Sequence, residues 1–280
     1  MKHAVTALLL MTLTSTVMAR SGQKAIYGSI DMEFTTNRSE DRIKNMATGI
    51  SYIVNKNRIS QEANGVSIIR AETLKDMVNL CRNEPFAKNM ATANCTGFLI
   101  SKDKVITAGH CIKNDSCAHL SFVFGVTVAK EVREGFAVDT SNIYSCKKVI
   151  SANQEGNDFA VIQLNRNVEA RHIFELGDDA NLTEKSKVYM LGHPLGMAMT
   201  YSRPAPVSRL YAADKFAASL DSFGGNSGSP VIDPKTDEVV GILTSGRTDF
   251  EEKSNCKKFA KYNDGGETIT RISVITPYID

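Results

Sequence analysis

One serine in the C-terminal third of the chain lies in a sequence that suits covalent acyl transfer. Ser227 sits between glycines in the segment FGGNSGSP, and an apolar pair of residues follows. Glycine takes positive φ values without steric cost, so a tight loop can turn the backbone N–H groups of Gly225 and Ser227 toward one point. A hydroxyl beside two such donors suits acyl transfer, because the donors stabilise the oxyanion that forms on attack. Taken alone, the segment also fits a plain glycine-rich turn.

A base and a partner for that base occur earlier in the chain. A serine hydroxyl is a weak nucleophile until a base removes its proton, and the base must be oriented. The motif TAGHC supplies His110, and the motif NDFAVIQL supplies Asp158 at the start of an apolar run. We predict that His110 acts as general base and then general acid, while Asp158 fixes its tautomer. Asp139 lacks a following apolar strand and Ser229 lacks preceding glycines, so neither is preferred.

The three motifs TAGHC, NDFAVIQL and GGNSGSP resemble those of the chymotrypsin-like serine peptidases, and they occur in that family's chain order. The last motif is most similar to the bacterial branch that includes the glutamyl endopeptidases. The resemblance covers roughly residues 90 to 280. It implies an all-β fold of two antiparallel six-stranded barrels, with the active site in the cleft between them. It also implies a disulfide between Cys95 and Cys111 that holds the histidine loop.

The N-terminus and the cysteines indicate an exported protein. Residues 1–19 have a basic start, a modestly apolar run and small residues before Arg20, as in a secretory signal peptide. Six cysteines in an exported chain predict disulfides. Besides the pair implied by the resemblance, four cysteines allow three pairings, of which Cys117 with Cys146 and Cys81 with Cys256 is one. The predicted location is extracellular or periplasmic.

Composition excludes several other classes of function. The formal net charge of +2 favours neither nucleic acid nor a membrane surface as a partner. No C-x-x-C or H-E-x-x-H spacing occurs, so we expect no zinc site, and nothing in the sequence calls for another metal or a cofactor. The expected partners are protein or peptide substrates, and the chain is expected to be a monomer.

The distribution of short apolar runs predicts the domain organisation. From Ala93 onward, such runs are broken by Gly, Asn, Asp and Lys, which is typical of β barrels. We expect a first barrel in 91–170 and a second in 171–280, whereas 20–90 is either an N-terminal arm on the barrels or a propeptide. The strands expected are Thr96–Ser101, Lys104–Thr107, Leu120–Phe124, Val126–Val132, Ile143–Ile150 and Phe159–Leu164, then Val188–Leu191, Val207–Ala212, Phe216–Leu220, Pro230–Ile232, Val239–Thr244 and Thr268–Ile275.

The resemblance also guides the prediction of a substrate pocket. Asp221, followed by Ser222, stands six residues before the nucleophile, where trypsin-like enzymes bind substrate Arg or Lys. Gly246 matches the glycine that leaves that pocket open. A buried carboxylate facing a guanidinium is a strong contact, so cleavage after Arg or Lys is predicted, with apolar or small residues as the alternative. Leu243 replaces the histidine of the glutamyl endopeptidases, which disfavours cleavage after Glu.

Two further residues in these motifs have structural interpretations. Asn226 stands where the pancreatic enzymes carry an aspartate that pairs with a freshly cut N-terminus, so that switch is not expected here. His193, in the segment LGHPLG, is interpreted as a turn residue. Two other functions fit the same motifs: a binding protein on an inactive peptidase scaffold, and an esterase that uses the same three residues.

Overall fold

The computed structural model describes residues 25–92, 95–112, 117–263 and 265–279 of the 280-residue chain. The predicted signal peptide lies outside the described residues. The strands are β1 (Ile26–Tyr27), β2 (Met32–Phe34), β3 (Ile50–Asn55), β4 (Ile59–Gln61), β5 (Val66–Arg70), β6 (Glu72–Thr73), β7 (Met90–Ala91), β8 (Cys95–Leu99), β9 (Lys104–Thr107), β10 (Leu120–Phe124), β11 (Glu131–Val132), β12 (Gly135–Asp139), β13 (Ile143–Asn153), β14 (Phe159–Leu164), β15 (Lys187–Gly192), β16 (Thr200–Leu210), β17 (Lys215–Ala218), β18 (Pro230–Ile232), β19 (Val239–Ser245), β20 (Phe250–Lys253), β21 (Cys256–Phe259), β22 (Lys261–Tyr262) and β23 (Glu267–Arg271). The helices are α1 (Asp41–Ala47), α2 (Leu74–Val78) and α3 (Ile272–Ile275). Within the described ranges, no helix has the length and apolar character needed to cross a membrane.

Six antiparallel strands close the first barrel in the order β10-β13-β14-β9-β8-β3. The strands are short apolar runs, as in β10, where all five residues are buried. Side chains from all around the barrel fill its interior, as in other small barrels. They include Ile53, Leu99, Phe122, Phe124, Tyr144 and Ile162.

One strand of the first barrel differs from the prediction. The segment Val126–Val132 is not a barrel strand, because Gly125 takes a φ of 81° at the end of β10 and a helical turn follows at residues 128–130. The continuous apolar run of β3 closes the barrel in its place, by pairing with both β10 and β8. The first barrel therefore begins near residue 50, well before the boundary expected at residue 91.

The second barrel is also closed by six antiparallel strands, in the order β15-β18-β19-β23-β17-β16 and back to β15. The prediction of two six-stranded barrels is confirmed. The last predicted strand, Thr268–Ile275, is shorter than expected, because the chain turns into α3 after Arg271. The interior of this barrel is filled by Val188, Phe216, Leu220, Val231, Leu243 and Ile269.

Residues 25–34 form an arm on the second barrel. β1 pairs in parallel with β22, and β2 adds to the outer edge of β16. Ala25 and Ile26 are fully buried, and Ile26 packs in a cluster with Leu74, Phe223 and Phe259. Removal of residues 20–90 as a propeptide would delete β3 from the closed first barrel. The packing therefore favours the arm over the propeptide.

Three disulfides link these parts of the fold. They are Cys81–Cys256, Cys95–Cys111 and Cys117–Cys146. The first joins the segment after α2 to β21, the second joins β8 to the turn after β9, and the third joins the turn before β10 to β13. The second bridge is the one that the family resemblance implies, and the other two correspond to the pairing that was named among three.

Candidate active site

The register of the first barrel brings His110 and Asp158 together. β9 and β14 are antiparallel neighbours with Thr107 opposite Ala160, so the turn after β9 meets the residue just before β14. His110 Nδ1 lies 2.7 Å from Asp158 Oδ2, and the backbone N–H of His110 donates to Oδ1 at 2.8 Å. One carboxylate thus fixes both the ring and the backbone of the histidine. When Nδ1 donates to the carboxylate, Nε2 is the acceptor that can take up a proton.

Disulfide Cys95–Cys111 holds the histidine turn against β8. Ligand atoms of Cys95, His110 and Cys111 lie within 4.8 Å of one another, a separation that metal sites also show. The two sulfurs are bonded to each other, however, so neither is a thiolate that could bind a metal. This cluster is therefore a disulfide that holds the turn of His110 in place, and not a metal site.

Thr96, the second residue of β8, connects the first barrel to residues 223–229, the loop that contains the candidate nucleophile Ser227 and is called the nucleophile loop. Its backbone N–H donates to the carbonyl of Ser227 at 2.9 Å, and its hydroxyl donates to the carbonyl of Gly225 at 2.9 Å. The same hydroxyl accepts from the backbone N–H of His193 at 3.1 Å. Because Cys95 is the preceding residue, β8 contacts both the serine loop and the histidine turn. Sequence analysis placed Thr96 in a strand and assigned it no such contact, since its partners are backbone groups distant in sequence.

The nucleophile loop has the conformation that its glycines suggest. Gly225 has a φ of 92°, and a Cβ at this position would lie 2.7 Å from the carbonyl oxygen of His193. A residue with a side chain would meet both strain and a clash there. On the other side, the N–H of Gly228 donates to the carbonyl of Leu243 at 2.7 Å, so β19 also holds the loop. Ser227 is only 5% exposed at the centre of this loop.

Asn226 is fully buried and links its neighbours within the loop. Its amide Nδ2 donates to the hydroxyl of Ser222, and its Oδ1 accepts from the hydroxyl of Ser229, both at 3.4 Å. The Ser229 hydroxyl therefore has a structural partner, in agreement with the choice of Ser227 as the candidate nucleophile. Ser222 lies beneath the loop, and its backbone N–H donates to the carbonyl of Ala25 in the arm.

The surroundings of Asp221 do not fit its predicted role as the residue that binds a substrate cation. Both of its carboxylate oxygens accept backbone N–H groups of the arm at 2.8 Å, Oδ1 from Tyr27 and Oδ2 from Asp31. Burial raises the pKa of Asp221 to about 7. The prediction that this carboxylate faces a substrate cation at the bottom of the pocket is not supported, because the arm occupies both oxygens.

Two other predicted pocket residues have different surroundings. The side chain of Leu243 is buried in the interior of the second barrel, with Phe216 and Ile269, and its backbone is hydrogen-bonded to the nucleophile loop. Gly246 follows β19 and faces the carboxylate of Glu267. A Cβ on Gly246 would lie 2.2 Å from Glu267 Oε1, so the carboxylate fills the space that a side chain would need.

Glu267 is a residue that sequence analysis missed. It is fully buried, and its Oε1 accepts a hydrogen bond from the hydroxyl of Tyr27 at 3.0 Å. An acidic residue at the start of an apolar strand, directly after a pair of glycines, was the available signal. The family resemblance directed attention to Asp221 instead, because that residue lies at a fixed distance from the serine.

Comparison with known proteins places the chain among peptidases of known fold. The family described as "Trypsin-like peptidase domain" matches residues 95–242. A glutamyl endopeptidase from Bacillus licheniformis is 27% identical over 149 residues, which are 50% of this chain and 45% of that protein. The chain thus matches less than half the length of this relative. A solved structure of a Glu endopeptidase in complex with MPD is similar with a TM-score of 0.55 and 18% identity, over 90% of this chain and 96% of that one.

Proposed function

The chain belongs to the trypsin-like peptidase family, and from this premise we propose that it is a secreted serine endopeptidase that forms an acyl-enzyme on Ser227. The observation that carries the proposal is the contact of His110 Nδ1 with Asp158 Oδ2, 2.7 Å long, beside a serine loop that β8 holds against the same turn. The first barrel contributes the acid–base pair and the second contributes the nucleophile. Hydrolysis through an acyl-enzyme needs a nucleophile, a base and a group that orients the base, and these three residues would supply them.

The proposed reaction uses these groups in two half-reactions. His110 Nε2 takes the proton of Ser227 Oγ as the oxygen attacks the carbonyl carbon of the substrate, and the carbonyl oxygen becomes an oxyanion. The backbone N–H groups of Gly225 and Ser227 donate to this oxyanion, while Asp158 stabilises the imidazolium. The imidazolium then protonates the leaving amine, and the C–N bond breaks to give the acyl-enzyme. Water, deprotonated by His110, releases the acid by the same steps in reverse order.

Several features support extracellular or periplasmic action on proteins and peptides. Three disulfides are typical of proteins from oxidising compartments. The proposed chemistry uses side chains and backbone groups of one chain, so the enzyme is proposed to act as a monomer without a cofactor. Cleavage after Arg or Lys stays the proposed preference on the family resemblance alone, because the arm occupies both oxygens of Asp221. The matched relative is by name a glutamyl endopeptidase, so kcat/KM on peptides with Arg, Lys, Leu or Glu before the scissile bond would test this preference.

Covalent labelling tests the proposal directly. The secreted protein is treated with a fluorophosphonate, and its intact mass and N-terminal sequence are determined before and after treatment. We expect one adduct in the wild-type protein and none in Ser227→Ala, with an N-terminus that precedes Ala25. Absence of an adduct on the folded, processed protein would favour the inactive binding scaffold, and turnover of esters without amides would favour the esterase.

A further inference from the structure

We propose that the turn of residues 193–197, called the Pro194 turn, orients the peptide bond between Gly224 and Gly225, so that the N–H of Gly225 faces the substrate as an oxyanion donor. The turn acts through one backbone donor, the N–H of Leu195. This inference rests on the proposed function and deepens it, because it names the segment that positions the proposed oxyanion donor. The turn connects β15 to β16 and lies outside the three family motifs.

One hydrogen bond fixes the direction of the peptide between Gly224 and Gly225. The N–H of Leu195 donates to the carbonyl oxygen of Gly224, so this carbonyl points at the Pro194 turn. In a planar trans peptide, the carbonyl of one residue and the N–H of the next point in opposite directions. The N–H of Gly225 therefore points away from the turn. Within the described ranges, no backbone or side-chain acceptor takes this N–H, so it is available to a substrate oxygen.

The Pro194 turn and the nucleophile loop are in direct contact along their backbones. A Cβ at Gly225 would lie 2.7 Å from the carbonyl oxygen of His193 and 2.9 Å from the backbone nitrogen of Gly196. A Cβ at Gly192, just before the turn, would lie 2.1 Å from the hydroxyl of Ser229. No side chain separates the two segments at these points. Because parts packed this closely transmit small displacements, a shift of the turn would also move the loop.

Leu195 has an uncommon backbone conformation for a residue with a side chain. Its φ is 53° and its ψ is 19°, which lie in the left-handed region. This conformation is unfavourable for residues other than glycine and persists where the surrounding contacts enforce it. Here the N–H of Leu195 meets Gly224, while its side chain packs in the buried cluster that contains Ile26 and Phe223. Leu195 is accordingly assigned as a positioning residue.

The first barrel holds the Pro194 turn in place. The hydroxyl of Tyr52 in β3 donates to the carbonyl of Gly196 at 2.7 Å, and its ring meets the ring of His193 edge-on, with 4.8 Å between centroids. The hydroxyl of Thr96 in β8 accepts from the N–H of His193 at 3.1 Å. Within the turn, His193 Nδ1 bonds the carbonyl of Met197 at 3.0 Å. The barrel that carries the base thus also fixes, through the turn, the direction of the oxyanion donor.

The test compares two substitutions of Leu195 whose effects on packing and on backbone conformation differ in direction. Leu195→Gly removes the side chain but takes a φ of 53° without strain, whereas Leu195→Val keeps most of the side chain but is β-branched, which strongly disfavours this φ. We measure kcat and KM on a chromogenic peptide, with active molecules counted by complete titration with a fluorophosphonate. The kcat of Leu195→Gly should exceed that of Leu195→Val by at least about tenfold, with KM values within about threefold of each other. A role in packing alone would give the reverse order, because glycine leaves the larger cavity.

A second measurement tests the hydrogen bond itself. Leu195 is replaced by its α-hydroxy acid, which exchanges the N–H for an ester oxygen and keeps the side chain. The control is the same replacement at Leu99, a fully buried residue whose N–H donates to the carbonyl of Gly49 at 3.0 Å. The ester at Leu195 should have a kcat at least about tenfold lower than the ester at Leu99, since loss of a whole oxyanion donor costs about 10² to 10³. The pH dependence of kcat/KM should stay the same, because His110 and Asp158 are untouched.

Each remaining outcome has a defined meaning. The inference is wrong if Leu195→Val turns over the peptide at least as fast as Leu195→Gly, if the two esters have equal kcat, or if the losses lie in KM alone. Labelling of the wild type by the fluorophosphonate in those cases would leave the proposed peptidase function intact, whereas absence of labelling would remove the function itself. Should Leu195→Val fail to fold, the comparison of the two esters decides.

Discussion

The two sides of the candidate site are each organised by an aspartate, and the two residues differ in what they hold. Asp158 accepts hydrogen bonds from the ring and the backbone of one residue, His110. That residue lies in the turn after β9, the strand next to β14 in the same barrel. Asp221 accepts hydrogen bonds from two backbone N–H groups of the arm, which precede it in the chain by 194 and 190 residues. An acidic residue near a catalytic motif can therefore orient a reacting group or anchor a distant segment. The identity of the hydrogen-bond donor shows which of these two roles the acidic residue has.

The largest expected effect is on the nucleophile and its base. Ser227→Ala or His110→Ala should lower kcat by about 10⁶, as measured for such knockouts in other serine peptidases. The matched control is Ser229→Ala, because the Ser229 hydroxyl contacts Asn226 and no reacting group. Single-turnover kinetics on a chromogenic peptide would check this. Comparable losses in Ser229→Ala and Ser227→Ala would contradict the assignment.

The next effect separates the two aspartates. Asp158→Asn should lower kcat by about 10⁴, because the amide stabilises the wrong tautomer of the base. Asp221→Asn should lower kcat far less, since it changes the anchoring of the arm and leaves the His110 ring untouched. The measurement is kcat at saturating substrate, with phosphonate labelling to count active molecules. Equal losses in the two variants would mean that the arm and the base are not separable.

The disulfide beside the base should contribute substantially to stability. Replacing both Cys95 and Cys111 by alanine removes a crosslink with a sequence separation of 16. Loss of a crosslink of this size should lower the free energy of unfolding by about 3 kcal/mol, which urea unfolding would measure. An unchanged unfolding midpoint in the double variant would show that β8 and the histidine turn are held together by their hydrogen bonds alone.

The pKa of Asp221 predicts a dependence of stability on pH. It is raised by burial from 3.8 to about 7, so the folded state binds more protons than the unfolded state between these values. Stability from this group is present below pH 4 and is lost as the pH rises toward 7, by at most about 1.4 kcal/mol per pH unit. Asp221→Asn should reduce this slope and leave the part that comes from Asp31, whose pKa burial also raises. The variant should be less stable overall, because an amide oxygen replaces only one of the two acceptors. Urea unfolding at pH 4.5, 6 and 7.5 would measure the free energy of unfolding of both proteins. If the wild type and Asp221→Asn show the same dependence on pH, the interpretation is wrong.

His193 should change the pH dependence of stability in the direction opposite to Asp221, and this is the smallest of the expected effects. Burial lowers its pKa from 6.5 to about 4, and its Nδ1 bonds the carbonyl of Met197. The unfolded state then binds more protons, so stability from this group is present above pH 6.5 and is lost as the pH falls toward 4. Between pH 4 and 6.5 the contributions of His193 and Asp221 oppose each other. His193→Phe should therefore steepen the fall in stability with rising pH, whereas a flatter profile in that variant would contradict this assignment.

Much of the fold and of the proposed chemistry was predictable from local sequence. The motifs around His110, Asp158 and Ser227 each combine a reactive residue with the turn or strand that presents it. Each motif therefore predicts both the residue and its local structure. The two barrels follow from short apolar runs broken by turn residues. These features depend on contacts between neighbouring residues or neighbouring strands.

The missed features depend on contacts between distant parts of the chain. The β3 segment is an apolar run like several others, and only its pairing with β8 and β10 makes it a barrel strand. The Val126–Val132 segment has strand-like residues, but the left-handed conformation of Gly125 ends the pairing before it. The role of Asp221 was not predictable from its position relative to Ser227, because the arm residues that donate to it lie at the other end of the sequence.

The bridge between Cys81 and Cys256 has a consequence if the proposed peptidase cleaves copies of itself. It spans 175 residues of the chain, and the other two bridges lie within that span. Any single autolytic cut between its two ends leaves the resulting fragments covalently joined. The nicked enzyme would migrate as one band on a non-reducing gel and as two bands after reduction. A molecule that is cut once within this span therefore keeps both barrels in one covalently linked unit.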